Sequence, residues 1–147
     1  MLKFNYIILL FVLLNCKTNS LKNYKDSCEE INDLMYEQQE SWNKGNIEDF
    51  MKKYWKNDSL IFIGKSGINY GWNKTTSNYK KSYPSRNSMG LLHFNNIKCL
   101  PINDTTHIIS GQWNIFRLDS SKNVGGYYSL MWIKKEDGWR IVYDHTS

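Results

Sequence analysis

Apolar residues repeat with the period of an α-helix in three segments of the first half of the chain. Between Ile31 and Trp42 they recur three or four residues apart, and Ser27 opens a capping-box pattern just before them. Asn46 is suited to cap a second helix, and Pro84 forces the residue before it out of helical geometry. The predicted helices are Cys28–Lys44, Ile47–Trp55 and a third that runs from its cap, Asn73, to Tyr83.

Strand-forming residues dominate from Met89 onward. Runs of β-branched and aromatic residues alternate there with turn-forming clusters, and Asp137-Gly138 marks a tight hairpin between the last two runs. Gly111, in the middle of a run, predicts a bulge or a sharp bend. Helices that are segregated from a largely antiparallel sheet define an α+β fold. The predicted strands are Leu60–Ile63, Ile68–Tyr70, Gly90–Leu100, Thr105–Leu118, Tyr127–Lys135 and Trp139–His145.

The first 25 residues are predicted to lie outside the folded domain. Lys3 and the apolar run at positions 7–14 have the features of a secretory signal, and the run is too short for a membrane-spanning helix. The residues after Cys16 are polar and rich in Lys and Asn, as expected of a flexible tether. We predict a signal peptide at 1–15, a lipidated cysteine with its tether at 16–25, and one folded domain at 26–147.

The lipidation prediction depends on the segment Leu13-Leu14-Asn15-Cys16, which resembles a bacterial lipobox. In such a motif the cysteine becomes the lipidated first residue of the mature protein. The resemblance implies an exported protein that a lipid anchors to the membrane, facing the periplasm or the cell exterior. A plain cleaved signal with an incidental cysteine is the alternative.

The charge pattern does not indicate nucleic-acid binding, and the cysteine content allows a disulfide. The formal net charge is +5, and loss of Lys3 with the signal would leave +4. The lysines are scattered, so they form no stripe that would indicate nucleic-acid binding. In an exported protein Cys28 and Cys99 can form a disulfide, or they can be two small buried side chains.

Several short segments stand in a recognisable order and spacing: Trp42–Asn46, Phe50-Met51 with Tyr54, Phe62–Gly64, Gly71-Trp72, Gly138–Ile141 and Asp144–Ser147. Together they resemble the NTF2-like superfamily, and within it the SnoaL-like group known as DUF4440. The resemblance implies a cone: a strongly curved sheet wrapped around three helices, with a central pocket. Members include isomerases, cyclases and dehydratases as well as proteins without catalytic activity, so the fold does not define the function.

Asp144 and His145 are the candidate catalytic residues, because a carboxylate can orient an imidazole that acts as a general base. Neighbours on a strand point to opposite faces. We predict that the face carrying Trp139, Ile141, Tyr143 and His145 looks into the cone, which would place His145 near the pocket. The alternative is a structural hydrogen bond for His145 and a surface ion pair for Asp144.

Aromatic residues make up 15% of the chain, which is enough to fill a cone and to line a pocket for a flat or apolar ligand. The isomerases of the family use an acid together with a Tyr–Asp pair, and neither Asp49 nor Asp58 gives a convincing counterpart. The sequence therefore favours binding over catalysis. The predicted ligand-binding residues are Trp42, Tyr54, Phe62, Trp72, Tyr79, Phe94, Trp113 and Tyr128.

No metal or cofactor is predicted. His93, His107 and His145 are the candidate imidazole ligands, but no His-x-His or Cys-x-x-Cys spacing supports them.

Three functional hypotheses remain. The first is an exported, lipid-anchored domain that binds an unknown small apolar or aromatic molecule without converting it. The second is an isomerase, cyclase or hydrolase-like enzyme with His145 as its base and Tyr128 or Tyr143 as a hydroxyl donor. The third is a homodimeric interaction module that pairs through the outer face of the sheet. Its candidate residues are Gln112, Asn114 and Phe116.

Overall fold

The computed structural model describes residues 4–118 and 121–147, with side chains from Tyr24 onward. The signal-peptide and Cys16 predictions concern side chains outside this described part, so they stay predictions. No helix in the part that is described is long and apolar enough to cross a membrane. The elements are α1 Phe4–Asn43, α2 Ile47–Met51, β1 Ile61–Gly64, β2 Gly67–Tyr70, α3 Trp72–Ser82, α4 Arg86–Met89, β3 Leu91–Asn103, β4 Thr106–Phe116, β5 Val124–Lys135 and β6 Gly138–Thr146.

Helix α1 ends as predicted but does not begin at Ser27. The helix continues through this residue, so Ser27 is not an N-cap; its hydroxyl donates to the carbonyl of Tyr24 at 3.0 Å. The same hydroxyl lies 2.7 Å from Nε2 of His107 on β4. Gly45 follows the helix with a φ of 80°, a conformation that glycine adopts without strain.

The second helix is shorter than predicted. Asn46 caps α2 by accepting a hydrogen bond from the backbone N–H of Asp49 at 3.0 Å, as the sequence indicates. The helix stops at Met51 because the chain then turns to run beside β6, where Tyr54 forms an isolated parallel bridge with Ile141. This bridge holds Tyr54 against the sheet instead of on a helix.

Two local features around α3 differ from the prediction. Gly71, with a φ of 84°, precedes the helix and provides no side-chain cap, so the predicted cap Asn73 lies inside the first turn. After Pro84 the chain forms an additional turn of helix, α4, whose cap Ser85 exchanges hydrogen bonds with Ser88. The short α4 was missed because a four-residue helix has no measurable periodicity.

The six strands form one open, curved sheet in the order β2-β1-β6-β5-β4-β3. Neighbouring strands are antiparallel except for β1 and β6, which are parallel. On β3 the residue Ile97 has no partner, because Asn96 pairs with Gly111 and Lys98 with Ser110. This bulge lies where Gly111 predicts one, and it bends the pair of strands β3 and β4. The predicted α+β fold is confirmed.

The helices pack on the concave side of the sheet and enclose the core. A disulfide between Cys28 and Cys99 ties α1 to β3 across 71 residues of sequence. The sequence left this pair open, and the fold brings the two Cα atoms to 6.1 Å. The largest fully buried apolar side chains are Trp42, Trp132, Trp139, Ile31, Met35, Met51, Leu60, Ile109 and Ile141.

Candidate binding pocket

A cavity of about 950 Å³ lies between the helices and the inner face of the sheet. This volume is within the range of pockets that hold drug-sized molecules. Trp42, Phe50 and Tyr79 contact one another edge to face, with ring centroids 5.1–6.0 Å apart, and form part of its wall. The aromatic lining residues are Trp42, Phe50, Tyr54, Phe62, Tyr79, Tyr83, Phe94, Trp113 and Tyr128.

A bulge in β6 decides which residues of the last strand face this cavity. Met131 pairs with Tyr143 and Trp132 with Ile141, so Val142 has no partner on β5. An extra residue exchanges the two faces of the strand beyond it. Ile141 is buried before the bulge, and Asp144 is the inward residue after it.

Asp144 lies buried in the cavity wall, with 2% of its surface exposed. The hydroxyl of Tyr54 donates to its Oδ2 at 2.7 Å, and the hydroxyl of Thr146 donates to its Oδ1 at 2.5 Å. Burial raises the pKa of the Asp144 carboxyl from its ordinary 3.8 to about 6, although these two hydrogen bonds oppose the shift. The group is therefore ionised at neutral pH and neutral a few pH units below it.

The two tyrosines nearest to this carboxyl keep their protons at neutral pH. Burial, followed by the charge of Asp144, raises the pKa of both Tyr54 and Tyr79 above the ordinary value. Because the Tyr54 proton is directed at Asp144, these side chains form a polar cluster beside the aromatic rings of the wall.

This cluster can act chemically in two ways. An ionised carboxylate offers about four acceptor positions, of which Tyr54 and Thr146 use two, so the others can accept from an N–H or O–H group of a ligand. A carboxylate with a pKa of about 6 can also take up a proton near neutral pH.

Seven of the eight predicted ligand-binding aromatics lie in the cavity wall. The exception is Trp72, whose indole N–H donates to the carbonyl of Met51 at 2.9 Å and whose ring lies under the Lys56 ammonium group. Trp72 fastens α3 to the end of α2 and is absent from the wall. A role in ligand binding stays a prediction for the other seven.

The predicted orientation of β6 beyond residue 142 is wrong. Trp139 and Ile141 face the core as expected, but His145 is exposed and Asp144 is buried. The physical reason is the bulge at Val142, which strict alternation does not allow for. The geometry therefore does not support His145 as a general base in the cavity. Asp144 is the residue of this pair that lies in the cavity wall.

The sequence search for a Tyr–Asp pair did not find the one that the fold forms. Tyr54 and Asp144 are 90 residues apart, and their hydroxyl and carboxylate meet only because the segment after α2 runs beside β6. No local motif marks such a pair. The bulge that turns Asp144 inward has no glycine or proline to indicate it either.

The histidines are dispersed. His93 is exposed on β3, whereas His107 is fully buried, and burial lowers the pKa of its imidazole. Within residues 24–118 and 121–147, the group with ligand atoms close enough for a metal ion is Cys28, Cys99 and His107. Its two sulfur atoms are bonded to each other and are not thiolates in this state. That the protein uses neither a metal nor a cofactor stays a prediction from the sequence.

The outer face of the sheet carries the residues of the dimer hypothesis. Gln112 and Asn114 are half-buried there, and Phe116 is 48% exposed beside its strand partner Leu91, which is 43% exposed. Pairing of two copies through this face stays a prediction.

Fold and cavity together define a class of protein, an α+β cone whose curved sheet and N-terminal helices enclose a pocket lined with aromatic side chains. No family model matches the sequence, and no curated protein matches it. A solved NTF2-like protein of unknown function from Shewanella oneidensis MR-1 is 31% identical, with a TM-score of 0.78 over 82% of this chain and 98% of that one. The chain belongs to the NTF2-like proteins.

Two more distant structures share the fold. An NTF2-like superfamily protein from Salmonella enterica serovar Typhimurium LT2 is 20% identical, with a TM-score of 0.60 over 86% of this chain and 90% of that one. An NTF2-like protein of unknown function from Pseudomonas putida KT2440 is 12% identical, with a TM-score of 0.66 over 84% and 87% of the two chains. These similarities establish the architecture and leave the ligand open.

Proposed function

We propose that this protein binds a small molecule inside the cone. The ligand has an apolar or aromatic body that lies among the rings of the cavity, and it carries one hydrogen-bond donor that reaches Asp144. The observation that carries the proposal is a buried carboxylate with unused acceptor positions in a cavity wall that also carries nine aromatic side chains. Pockets of this kind use few polar groups to orient a mostly apolar ligand.

The cost of burying Asp144 supports a functional role. Removing a carboxylate from water is unfavourable unless hydrogen bonds replace its hydration, and the raised pKa of Asp144 indicates that Tyr54 and Thr146 compensate only in part. A ligand O–H or N–H would supply a further hydrogen bond. An ordinary core position would be more stable with an apolar residue.

The test is calorimetric titration of the protein with 2-naphthol at pH 7.5, where Asp144 is ionised. The naphthalene ring matches the aromatic wall, and its hydroxyl is the donor for the carboxylate. Asp144→Ala is expected to weaken binding roughly tenfold or more, because hydrogen bonds to charged groups contribute about 1.5–3 kcal/mol. Asp144→Asn, which keeps an acceptor, is expected to lose less.

His145→Ala is the matched control, because this neighbouring side chain is exposed on the other face of the same strand. Its affinity for 2-naphthol is expected to equal that of the wild type. Circular dichroism checks that each variant is folded. Equal affinity in Asp144→Ala and the wild type, or no binding by the wild type, would refute the proposal.

Proton transfer is a second candidate function, and the pKa of about 6 at Asp144 favours it. A carboxylate of this basicity could remove a proton from a carbon next to a carbonyl, while the Tyr79 hydroxyl holds the carbonyl oxygen. The probe is 2-tetralone in deuterated water, with deuterium uptake followed by mass spectrometry. Uptake faster than in buffer and lost in Asp144→Asn supports catalysis; uptake at the buffer rate excludes it for this ketone.

We further propose that the chain belongs to the SnoaL-like DUF4440 group and reaches the membrane through a lipid on Cys16. The supporting observations are the family-like segments around Trp42–Asn46 and at the C-terminal strand, and the lipobox-like sequence before Cys16. Cell fractionation tests the anchor. Cys16→Ala should move the protein out of the membrane fraction, and an unchanged distribution would contradict lipidation.

A further inference from the structure

The polar part of the cavity wall carries an excess of positive charge. Four cationic side chains line it: Lys65 in the β1–β2 turn, Lys74 and Lys81 on α3, and Arg117 after β4. Asp144 is the acidic side chain of the same wall, and it is buried. The three lysines are exposed, so they belong to the opening of the cavity.

Two of these cations are aligned by helix geometry. Lys74 and Lys81 are seven residues apart, which is close to two turns, so both project from the same face of α3 about 10 Å apart along its axis. Asn78, one turn after Lys74, is also in the wall. This face of α3 therefore presents two ammonium groups and an amide along the opening.

Among the residues that the structure describes, no acidic side chain pairs with the cations at the opening. Within the described residues, Lys65, Lys74 and Lys81 form no ion pair, whereas the neighbouring Lys80 pairs with Glu48 at 2.5 Å outside the cavity. Arg117 donates to the carbonyl of Ser88, a neutral partner, and the described part of the chain gives it no ion pair. A single-sign charged opening attracts ligands of the opposite charge.

We propose that the ligand of this cavity is an amphipathic organic anion, with its carboxylate, sulfonate or phosphate at the opening and its hydrogen-bond donor at Asp144. This inference rests on the proposed binding function and adds the charge and the orientation of the ligand. The reverse orientation would place two negative groups together in a buried region, which is unfavourable. The apolar body then spans the aromatic wall between the two polar ends.

The experiment compares three naphthalene probes by calorimetric titration at pH 7.5. 6-Hydroxy-2-naphthoate carries both polar groups, 2-naphthol lacks the carboxylate, and 2-naphthoate lacks the hydroxyl. We expect the doubly substituted compound to bind about tenfold more tightly than 2-naphthol, because several partly exposed cations each contribute a modest amount. This advantage should shrink when the salt concentration rises from 0.05 to roughly 0.5 M, because salt screens exposed charges.

The double variant Lys74→Gln/Lys81→Gln tests the site directly. It should weaken binding of 6-hydroxy-2-naphthoate about fivefold and leave the affinity for 2-naphthol unchanged. The matched control is Lys44→Gln/Lys98→Gln, which removes the same charge from exposed positions outside the cavity wall and should leave both affinities unchanged.

The possible outcomes separate the two claims. If 2-naphthol and 6-hydroxy-2-naphthoate bind equally well, or if both double variants reduce binding equally, the anionic-ligand inference is wrong and the cavity-binding proposal survives. If neither compound binds to the wild type, the binding proposal fails and takes the inference with it.

Discussion

Replacement of both Cys28 and Cys99 by serine is expected to lower the free energy of unfolding by about 4 kcal/mol. The bond closes a loop of 71 residues that includes α2, the whole β1–β2 hairpin, α3 and α4. Closing so long a loop removes much of the conformational freedom of the unfolded chain. Urea unfolding, followed by circular dichroism, measures the difference.

The reduced wild type provides the control for this experiment. Treatment with a thiol reductant should lower its stability to that of the double serine variant, and it should leave the variant itself unchanged. A wild type whose unfolding curve is insensitive to the reductant, with a variant of equal stability, would contradict a disulfide that closes the fold.

The second large effect concerns the pH dependence of stability. Asp144 should make the folded protein less stable as the pH rises, because its pKa is higher in the folded state than in the unfolded state. Its pKa is about 6 in the folded state and near 3.8 when unfolded, so the folded state binds more protons between these values. Below pH 3.8 both states are protonated and the group contributes nothing. As the pH rises through 6, the folded state loses about 3 kcal/mol relative to the unfolded state, at 1.36 kcal/mol per pKa unit.

Asp144→Asn isolates this contribution, because the amide does not titrate. Urea unfolding of both proteins at pH 4.5 and pH 8 should show that stability falls more with pH in the wild type than in the variant, by roughly 2 kcal/mol. Other carboxyl groups affect both proteins alike and cancel in the comparison. If the two proteins change equally with pH, Asp144 has an ordinary pKa and is not buried as described.

The two predictions describe opposite contributions to the stability of the same fold. A buried, ionised carboxylate that lowers stability at neutral pH is the kind of local cost that proteins accept at functional sites. The disulfide lies on α1 and β3, and it offsets such a cost by destabilising the unfolded chain.

The α+β fold could be predicted because its signals are periodic. The apolar repeat between Ile31 and Trp42 and the alternating strands of the second half are regular over many residues, so small errors at their ends do not change the architecture. Gly111 likewise indicated the bulge that places Ile97 without a partner on the neighbouring strand, since glycine in a strand interior commonly marks one. The aromatic wall was expected from the aromatic content of the chain together with the cone that the family resemblance implies.

The polar part of the site could not be predicted, because it depends on irregularities and on long-range contacts. The bulge at Val142 involves residues with ordinary strand preferences, yet it places Asp144 on the inner face and His145 on the outer face. Tyr54 reaches Asp144 only after α2 stops three residues earlier, at Met51. Nor does spacing in sequence reveal that Lys65 and Lys81 share one opening with Arg117.

The central claim is that the cone holds a small molecule against Asp144, and a crystal structure of the protein soaked with 6-hydroxy-2-naphthoate tests it most directly. The account predicts electron density for the ring among Trp42, Phe62 and Tyr79, with the hydroxyl within hydrogen-bonding distance of the Asp144 carboxylate and the carboxylate of the probe near Lys74 and Lys81. A ring bound only on the outer face of the sheet, or a cavity closed by the protein's own side chains, would contradict it.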